Sequence, residues 1–374
     1  MKRRVVEFFA GIGLVRLGLG PDYEVSYAND NDDKKRTMYI DAFGKSGDDE
    51  AWDGRSIHKI AGAEIPKAEL WTASFPCNDL SIAGAWRGIK AGPESSAFFA
   101  VTRLLRESRE LPRVLLFENV LGFLMRDAGA DLRHALQDLN DLGYAVDVFT
   151  LDAAWWTPQS RKRLFIVGTL GEGASSFWSS TPSRIRPSAI TEFIERHDLV
   201  WNIRDLPEPP VPTARLKEIV QELPGNDPHW WERTRADYLF SQFSDRHRAQ
   251  AEAMIGGSED TYATVFRRVR KGRSMAELRT DGIAGCLRTP RGGSGRQILF
   301  RGGRGRYDVR LLTARECARL QGVPDDYPIN VGLTQALFGF GDAVCVPGIR
   351  WIADHYLSPV LTEMDAMVTE SVDA

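Results

Sequence analysis

The chain has 374 residues, 43% of them hydrophobic and 26% charged, which is ordinary for a globular protein. This length exceeds what one compact core needs and predicts one large and one smaller domain. The formal net charge of −3 excludes a protein that is basic throughout, and we find no uninterrupted apolar run long enough to span a bilayer. We therefore expect a cytoplasmic protein with no membrane partner.

The first 170 residues alternate between apolar runs and amphipathic stretches. The apolar runs predict strands at 5–9, 23–28, 69–73, 113–117, 145–151 and 163–169. Amphipathic periodicity predicts helices at 33–43, 95–110 and 132–142. Such alternation is typical of an α/β, Rossmann-like sheet that is largely parallel and has helices on both faces. Ligands of such sheets lie beyond the carboxyl ends of the strands.

The pattern changes after residue 170. Clustered prolines near 207–212 and glycines near 292–305 predict a smaller, loop-rich domain over 171–308. We assign 1–170 and 309–374 to the larger domain. A helix is predicted over 313–320 because Thr313 and Glu316 form a capping-box pattern. Residues 342–356 predict a final apolar helix or strand–helix pair.

Charge is concentrated in the smaller domain. Residues 261–310 contain 13 Lys and Arg against 3 Asp and Glu, although the whole chain is slightly acidic. A basic segment on an acidic body is the electrostatic pattern expected for binding a polyanion.

The cysteines show no metal or disulfide pattern. Cys77, Cys286, Cys317 and Cys345 form no CxxC unit, and the histidines do not cluster near them. We therefore predict no zinc site and no disulfide framework.

Several residue types with chemical potential follow the predicted strands. The first strand ends in the glycine turn Phe9-Ala10-Gly11-Ile12-Gly13, and Asp30 follows the second. Glycines let a ligand approach the backbone, and an acidic residue at this position can accept hydrogen bonds from ribose hydroxyls. This pair predicts a cofactor that contains a nucleoside.

Reactive and charged groups follow three further strands. Cys77 lies in a loop after the third strand, where a helix N-terminus or an arginine would favour its thiolate. Glu118 follows the fourth strand, and Arg161 and Arg163 precede the sixth. These positions predict that a thiol, a carboxyl group and two guanidinium groups share one edge of the sheet.

These motifs, in this order and spacing, resemble the DNA (cytosine-5)-methyltransferase family of bacterial and phage modification enzymes. The catalytic motifs that carry the resemblance are Pro76-Cys77, Glu118-Asn119-Val120 and Gln159-x-Arg161-x-Arg163. The glycine turn resembles the family's first motif. Its last two motifs are matched by Arg310-x-Leu312-Thr313-x-Arg315-Glu316 with Gln321-Gly322-x-Pro324, and by Gly341-Asp342-Ala343-Val344. The resemblance covers residues 5–357.

The resemblance implies a catalytic role for each of these residues. The Cys77 thiolate would add to carbon 6 of cytosine, and Glu118 would hydrogen-bond N3. Arg163 and Arg161 would hold the base, and Asn119 would position the Glu118 loop. The base has to leave the duplex for this chemistry, as it does in enzymes that flip bases.

The resemblance also implies S-adenosyl-L-methionine as the cofactor. The positions implied to bind it are Phe9, Ala10, Gly11, Ile12, Gly13, Asp30, Asn31, Ser56, Ile57, Phe75, Pro76, Asp342, Ala343 and Val344. Four positions depart from the family pattern. Leu14 replaces a frequent glycine, Asn31 an aromatic residue, Ser56 an acidic residue and Asp342 an asparagine.

The 171–308 domain would be the target-recognition domain, with double-stranded DNA as its partner. The expected DNA contacts are Ser81, Arg288, Thr289, Arg291, Gly292, Gly293 and Arg296, because arginines and exposed backbone suit phosphates and guanine edges. We expect a monomer, associated with the nucleoid through DNA, in restriction-modification or phage defence. A cognate restriction or defence partner would then accompany it.

Three alternatives remain open at this point. A branch with the same catalytic motifs methylates RNA, but the large Gly/Arg-rich recognition region favours DNA. A DNA-binding protein that has lost catalysis would not need Cys77, Glu118 and Arg163 together. A nucleotide-dependent oxidoreductase would explain the glycine turn alone.

Overall fold

The computed structural model of the chain describes residues 2–44, 51–75, 97–171, 179–270, 272–290 and 295–373. The chain forms two compact units. Unit 1 comprises Met1–Leu151, Lys162–Pro209 and Gly348–Ala374, and unit 2 comprises Asp152–Arg161 and Pro210–Pro347. These limits differ from the domain boundaries drawn from the sequence, since 171–209 belong to unit 1 and 309–347 to unit 2.

Unit 1 is built on a seven-stranded sheet with the order β3-β2-β1-β4-β5-β7-β6. The strands are β1 Arg3–Phe8, β2 Tyr23–Asn29, β3 Trp52–Asp53, β4 Leu70–Ala73, β5 Val114–Val120, β6 Tyr144–Asp152 and β7 Lys162–Leu170. Five neighbouring strands, β3 to β5, are parallel, and β7 runs antiparallel to β5. The fold is thus the predicted Rossmann-like sheet, with all six predicted strands present.

Strand β6 is buried along its whole length because helices cover both of its faces. Val148, with Leu104 of one helix and Leu136 of another, belongs to one hydrophobic cluster. The neighbouring Phe149 packs instead against Trp351 and Tyr356, with ring centroids 6.4 and 5.9 Å apart. Successive residues of β6 therefore pack against different helices on the two faces of the sheet.

Unit 1 contains helices at and near the predicted positions. They are α1 Leu14–Leu19, α2 Asp33–Phe43, α3 Ala97–Glu107, α4 Gly122–Met125, α5 Ala130–Asp141 and α6 Ser188–Arg196, followed near the C-terminus by α12 Val346–Ile352, a π-helical segment Ala353–Leu357 and α13 Ser358–Asp373. Predicted helix 33–43 matches α2, and predicted helix 95–110 is observed as α3, which ends three residues earlier than predicted. The apolar segment predicted over 342–356 forms α12 and the π-helical turn.

Residues 179–209 belong to unit 1 because they bond to β6. Asn202 N donates to Val146 O at 2.9 Å, and the buried Arg186 guanidinium pairs with Asp147 at 2.8 Å. Proline-rich composition alone had placed this segment in the smaller domain. Its long-range pairing was not visible in the sequence.

Unit 2 is organised around a four-stranded antiparallel sheet with the order β11-β10-β8-β9. Its elements are α7 Leu216–Ile219, α8 Arg233–Ser241, α9 Asp245–Ile255, β8 Thr261–Arg270, β9 Arg273–Arg279, β10 Ile298–Gly303, β11 Arg306–Leu311, α10 Ala314–Leu320 and α11 Leu333–Asp342. Val265, Phe300 and Val309 of the sheet pack with Leu239 of α8 in one core. Unit 2 therefore contains more regular structure than the loop-rich domain that we predicted.

Residues 309–347 belong to unit 2 through buried polar bonds as well as through β11. Arg310 pairs with Glu316 at 2.5 Å, and both side chains are fully buried. Glu316 also accepts from Thr313 N at 2.8 Å, while Thr313 Oγ1 accepts from Glu316 N at 3.1 Å. The predicted capping box thus starts α10 and carries a buried ion pair as well.

One stretch, Leu333–Thr369, is long and apolar enough to cross a membrane by composition, but 67% of its most apolar part is buried within the protein. Such burial is characteristic of core helices.

Candidate active site

The glycine turn after β1 is held in shape by the acidic residue after β2. Phe9, Gly11 and Gly13 have φ angles of 55°, 59° and 78°, in the left-handed region. Asp30, 8% exposed, accepts hydrogen bonds from Gly11 N and Asp32 N, both at 2.9 Å. One bond to each carboxylate oxygen leaves further lone pairs for a ligand hydroxyl. The predicted pairing of the turn with Asp30 is present in unit 1.

The two glycines of this turn serve different purposes. A Cβ on Gly13 would lie 2.3 Å from Phe43 Cε2 and 3.0 Å from Tyr39 Cδ2, so Gly13 admits the aromatic side chains of α2. A Cβ on Gly11 would meet nothing nearer than 3.8 Å. Gly11 therefore leaves the backbone approachable, as a cofactor site requires, and Gly13 is needed for packing.

The neighbouring positions vary in exposure. Ala10, Ile12 and Leu14 are buried, at 5%, 1% and 2% exposed. Leu14, which replaces a frequent glycine, is the first residue of α1, and core packing accommodates its side chain. Asn31 is exposed.

Two carboxyl groups are buried beneath the glycine turn. Burial raises the pKa of Asp30, and the nearby charge of Lys35 opposes that shift. Burial also raises the pKa of Glu7 on β1 to about 8, against the opposing charge of Arg16. The backbone N–H of Arg16 also lowers the pKa of Glu7, but burial outweighs both effects of Arg16. Glu7 was not predicted as a site residue; the only signal was an acidic residue inside an apolar run.

The loop after β3 carries two further predicted cofactor positions. Asn29 Nδ2 donates to Asp53 O and Arg55 O, both at 2.8 Å, and so fixes this loop beside β2. Ser56 follows, partly exposed, and Ile57 is 5% exposed. Asn29 is a positioning residue that sequence reasoning missed.

Glu118 and Arg163 form an ion pair at the end of β5. Glu118 Oε1 lies 2.8 Å from Arg163 Nε, with side-chain exposures of 10% and 17%. The antiparallel register of β5 and β7 places Arg163 opposite Val120, two residues beyond Glu118. The structure thus brings together two of the predicted catalytic groups.

Asn119 connects this pair to the strand that precedes Cys77. Its Nδ2 donates to Phe75 O at 3.2 Å, and its Oδ1 accepts from Val120 N at 2.8 Å. Phe75 is 3% exposed and packs edge-on against Phe98, Phe117 and Phe123. The backbone directly before Pro76 is therefore fixed from two sides.

Arg161 has a different environment, inside unit 2. It is 3% exposed, and its guanidinium donates to Leu287 O at 3.0 Å, Gly341 O at 3.3 Å and Ala343 O at 2.6 Å. Its Nη1 also lies 3.4 Å from Cys286 Sγ. Arg161 thus joins two segments of unit 2 through their backbone carbonyls.

The same part of unit 2 contains the predicted cofactor residues Asp342, Ala343 and Val344. Gln321 Nε2 donates to Phe340 O at 2.6 Å and to Ala343 O at 3.2 Å. A Cβ on Gly341 would lie 2.7 Å from Thr289 N, so this segment abuts the backbone of the predicted DNA-binding stretch. Asp342 is exposed and Val344 is 3% exposed.

Of the predicted DNA contacts, Arg288 is exposed, Thr289 is partly exposed and Arg296 donates to Thr334 Oγ1 at 3.2 Å. Six predicted site residues lie outside the described residues: Pro76, Cys77, Ser81, Arg291, Gly292 and Gly293. Their roles stay predictions.

The fold and these motifs together define a class of enzyme, and comparison with known proteins establishes which. A family model described as C-5 cytosine-specific DNA methylase matches residues 3–358. The chain belongs to this family and is a DNA (cytosine-5)-methyltransferase. Its methyl donor is S-adenosylmethionine. The open backbone at Gly11 and the spare acceptor capacity of Asp30 fit this cofactor.

Several curated relatives align with nearly the whole chain. Type II methyltransferase M.NlaX of Neisseria lactamica is 26% identical over 98% of this chain and 99% of its own length. Type II methyltransferase M.HhaI of Haemophilus parahaemolyticus is 25% identical, covering 94% and 93%. Type II methyltransferase M.MspI of a Moraxella species is 25% identical, covering 94% and 70%.

Solved structures share the fold. The Dnmt2 methyltransferase of S. pombe superposes with a TM-score of 0.62 at 17% identity, covering 97% of this chain and 99% of its own. A putative DNA modification methyltransferase encoded within an E. coli prophage gives 0.57 at 17% identity, covering 96% and 100%.

Proposed function

We propose that the chain methylates carbon 5 of a flipped cytosine in a specific sequence of duplex DNA through a covalent adduct of Cys77. The observation that carries this proposal is the Glu118–Arg163 pair of 2.8 Å at the end of β5. Its neighbour Asn119 bonds to Phe75 O, two residues before Cys77. A carboxyl group, a guanidinium group and the segment that leads to a thiol are therefore tied to one strand end.

Each group has a defined step in this chemistry. The Cys77 thiolate forms a bond to carbon 6, and the displaced electron pair makes carbon 5 nucleophilic. Glu118, hydrogen-bonded at N3, stabilises the charge that develops in the ring, and Arg163 holds the Glu118 carboxyl group in position. S-adenosylmethionine would supply the methyl group to carbon 5 and leave as S-adenosylhomocysteine. Loss of the carbon 5 proton to solvent then allows the carbon–sulfur bond to break, which restores Cys77 and the aromatic ring.

Cofactor binding follows from the glycine turn in the same proposal. Gly11 would bring its backbone close to the cofactor, and Asp30 would accept hydrogen bonds from the ribose hydroxyls. Asn29 and Ile57 would hold the loop that borders the adenine side. Arg161, with its carbonyl contacts, would position the 286–287 and 341–343 segments and would not itself contact the base.

The proposal extends to a biological role. The curated relatives are named Type II methyltransferases, so we infer a modification enzyme of a restriction-modification system that acts as a cytoplasmic monomer on the cell's own DNA. Bisulfite sequencing of DNA from cells that express the chain should then show one short motif methylated. Methylation without a sequence preference would contradict this role.

The covalent step can be tested with a duplex in which 5-fluorocytosine replaces the target cytosine. In the presence of S-adenosylmethionine, the wild-type chain should form an adduct that survives denaturing electrophoresis. Cys77→Ala should abolish the adduct and all turnover while keeping DNA binding. Cys286→Ala is the matched control, since Cys286 is a partly exposed thiol, and it should still form the adduct.

An RNA of matched sequence provides the second arm of this experiment. Methyl transfer to the RNA and not to the duplex would overturn the assignment of duplex DNA. Turnover retained in Cys77→Ala would overturn the nucleophile.

A further inference from the structure

Unit 2 contains a cleft of about 280 Å³, and two of its lining residues, Pro290 and Arg296, belong to the stretch predicted to contact DNA. It is lined by Trp231, Arg235, Arg267, Pro290, Arg296, Ile298 and Leu311, which we call the Trp231 cleft. Trp231 is fixed to the sheet, because its backbone N–H donates to Val309 O of β11 at 2.8 Å. Arg235 comes from the first turn of α8 and Arg267 from β8.

Two of its guanidinium groups are arranged around the indole ring of Trp231. The Arg235 Cζ lies 3.9 Å from the ring centroid and the Arg267 Cζ lies 5.8 Å from it. A guanidinium stacked on an aromatic face keeps its N–H groups free at its edge. The stacking therefore orients the guanidinium N–H groups and leaves them available to bind a ligand.

The three arginines of the cleft have no carboxylate partner in the described part of the chain. Among the described residues, no carboxylate lies within 4.0 Å of a nitrogen of Arg235, Arg267 or Arg296, whereas several other arginines are paired. The pairs are Arg233–Asp237, Arg268–Glu277, Arg279–Asp281, Arg301–Asp308, Arg310–Glu316 and Arg319–Asp325. The cleft thus concentrates positive charge that the described chain does not neutralise.

Two further observations favour an anion in this cleft. The buried Nε of Arg267 has no hydrogen-bond partner among the described residues, and a buried donor without a partner is costly. Burial and the charge of Arg267 lower the pKa of Arg235. A bound anion would offset the repulsion between the two guanidinium groups.

The other walls of the cleft are apolar, which narrows the choice of anion. Pro290, Ile298 and Leu311 offer no donor or acceptor from their side chains. A backbone nucleotide of DNA combines an anionic phosphodiester with a weakly polar deoxyribose. A free inorganic anion would leave the apolar walls unused.

We propose that the Trp231 cleft binds one nucleotide of the DNA backbone, with the phosphodiester on Arg235 and Arg267 and the deoxyribose against the apolar walls. This inference rests on duplex DNA being the substrate. Phosphate contacts fix the register and orientation of a duplex and carry no sequence information. The cleft would hold the duplex in place during recognition and take no part in the chemistry.

The test measures binding of the full chain to two 24-base-pair duplexes of unrelated sequence between 50 and 300 mM NaCl. Arg235→Gln and Arg267→Gln should each weaken binding to both duplexes on the order of tenfold. The double variant Arg235→Gln/Arg267→Gln should also reduce the slope of log affinity against log salt by roughly 0.9, the contribution of the one phosphate that the two arginines share, and each single variant should reduce it by less. Arg235→Lys should restore the slope, because it keeps the charge.

Arg246→Gln is the matched control, because Arg246 is an exposed arginine of α9 that does not line the cleft. It should change neither affinity nor slope. Unchanged affinity and slope in Arg235→Gln would overturn the proposal, and so would a loss confined to one of the two duplexes, which indicates base reading. A wild-type chain that binds DNA but makes no 5-methylcytosine would overturn the proposed function and leave the cleft testable.

Discussion

The charged side chains at the strand ends of unit 1 have bonding partners, whereas the arginines of the Trp231 cleft in unit 2 have no carboxylate partner among the described residues. In unit 1, Glu118 is paired with Arg163 at 2.8 Å, and Asp30 accepts two backbone N–H bonds at 2.9 Å. In the cleft, Arg235 and Arg267 meet no carboxylate among the described residues within 4.0 Å. A catalytic group is more effective when it is held in place before the substrate binds. A surface that binds a polyanion is more effective when its positive charge is not already neutralised by the protein.

The largest effect that this comparison predicts is at Glu118. Glu118→Gln keeps the shape of the side chain and removes both the acid and its ion pair with Arg163. We expect kcat to fall roughly 10²- to 10⁴-fold, the usual contribution of a positioned acid or base. DNA affinity should stay within about twofold, because this pair is not part of the cleft. Radiolabelled methyl transfer and fluorescence anisotropy measure the two quantities.

Glu110→Gln is the control for Glu118→Gln, since Glu110 is an exposed carboxylate that pairs with Lys67. It should leave both quantities unchanged. If Glu118→Gln instead weakened DNA binding as much as Arg235→Gln, the distinction between the two regions would be lost.

The second prediction concerns the fixed shape of the glycine turn in unit 1. Gly13→Ala should lower the free energy of unfolding by about 2–4 kcal/mol, through left-handed strain and overlap with Phe43. Gly11→Ala has comparable strain but open space, so about 1–2 kcal/mol is expected. Urea denaturation measures both, and Gly13→Ala combined with Phe43→Leu should recover part of the loss. Equal losses in the two single variants would contradict the packing role of Gly13.

The two units also differ in how far the sequence predicted them. The bounds of α2 and the capping box at Thr313 follow from local signals, and both are present. The strands of unit 1 were predicted because buried parallel strands are continuous apolar runs. In unit 2, β8 ends in Arg-Arg-Val-Arg and β10 in Arg-Gly-Gly. These charged residues and glycines interrupt the apolar pattern from which strands are predicted, so these strands were missed.

The site itself was only partly predictable for a similar reason. Glu118 and Arg163 were predicted from the order and spacing of the motifs that contain them. The register of β5 with β7 brings the two side chains together. The carbonyl contacts of Arg161 involve residues more than 120 positions away, and no local pattern specifies them. The cleft depends on a tryptophan and arginines from separate elements, which meet only after unit 2 has folded.

Glu7 is the exception among the buried charges of unit 1, and its predicted effect depends on pH. Its carboxyl group has a pKa of about 8 in the folded protein, against an ordinary value of 4.5, because burial disfavours the charged form. The folded state therefore holds a proton that the unfolded state loses between these values, and wild-type stability should fall as pH rises through this range. Glu7→Gln cannot ionise and should lack this decline.

Urea denaturation at pH 5.5 and pH 9 measures the effect as a double difference. Each pKa unit is worth about 1.4 kcal/mol, so the variant should gain at most a few kcal/mol on the wild type between the two pH values. At pH 5.5 the wild type should be the more stable, because a buried amide brings extra donors that need partners. Glu24→Gln, an exposed carboxylate on β2, should show no double difference. If the stability of Glu7→Gln changed with pH in parallel with that of the wild type, Glu7 would be ionised in the folded chain. The prediction that burial keeps Glu7 protonated would then be wrong.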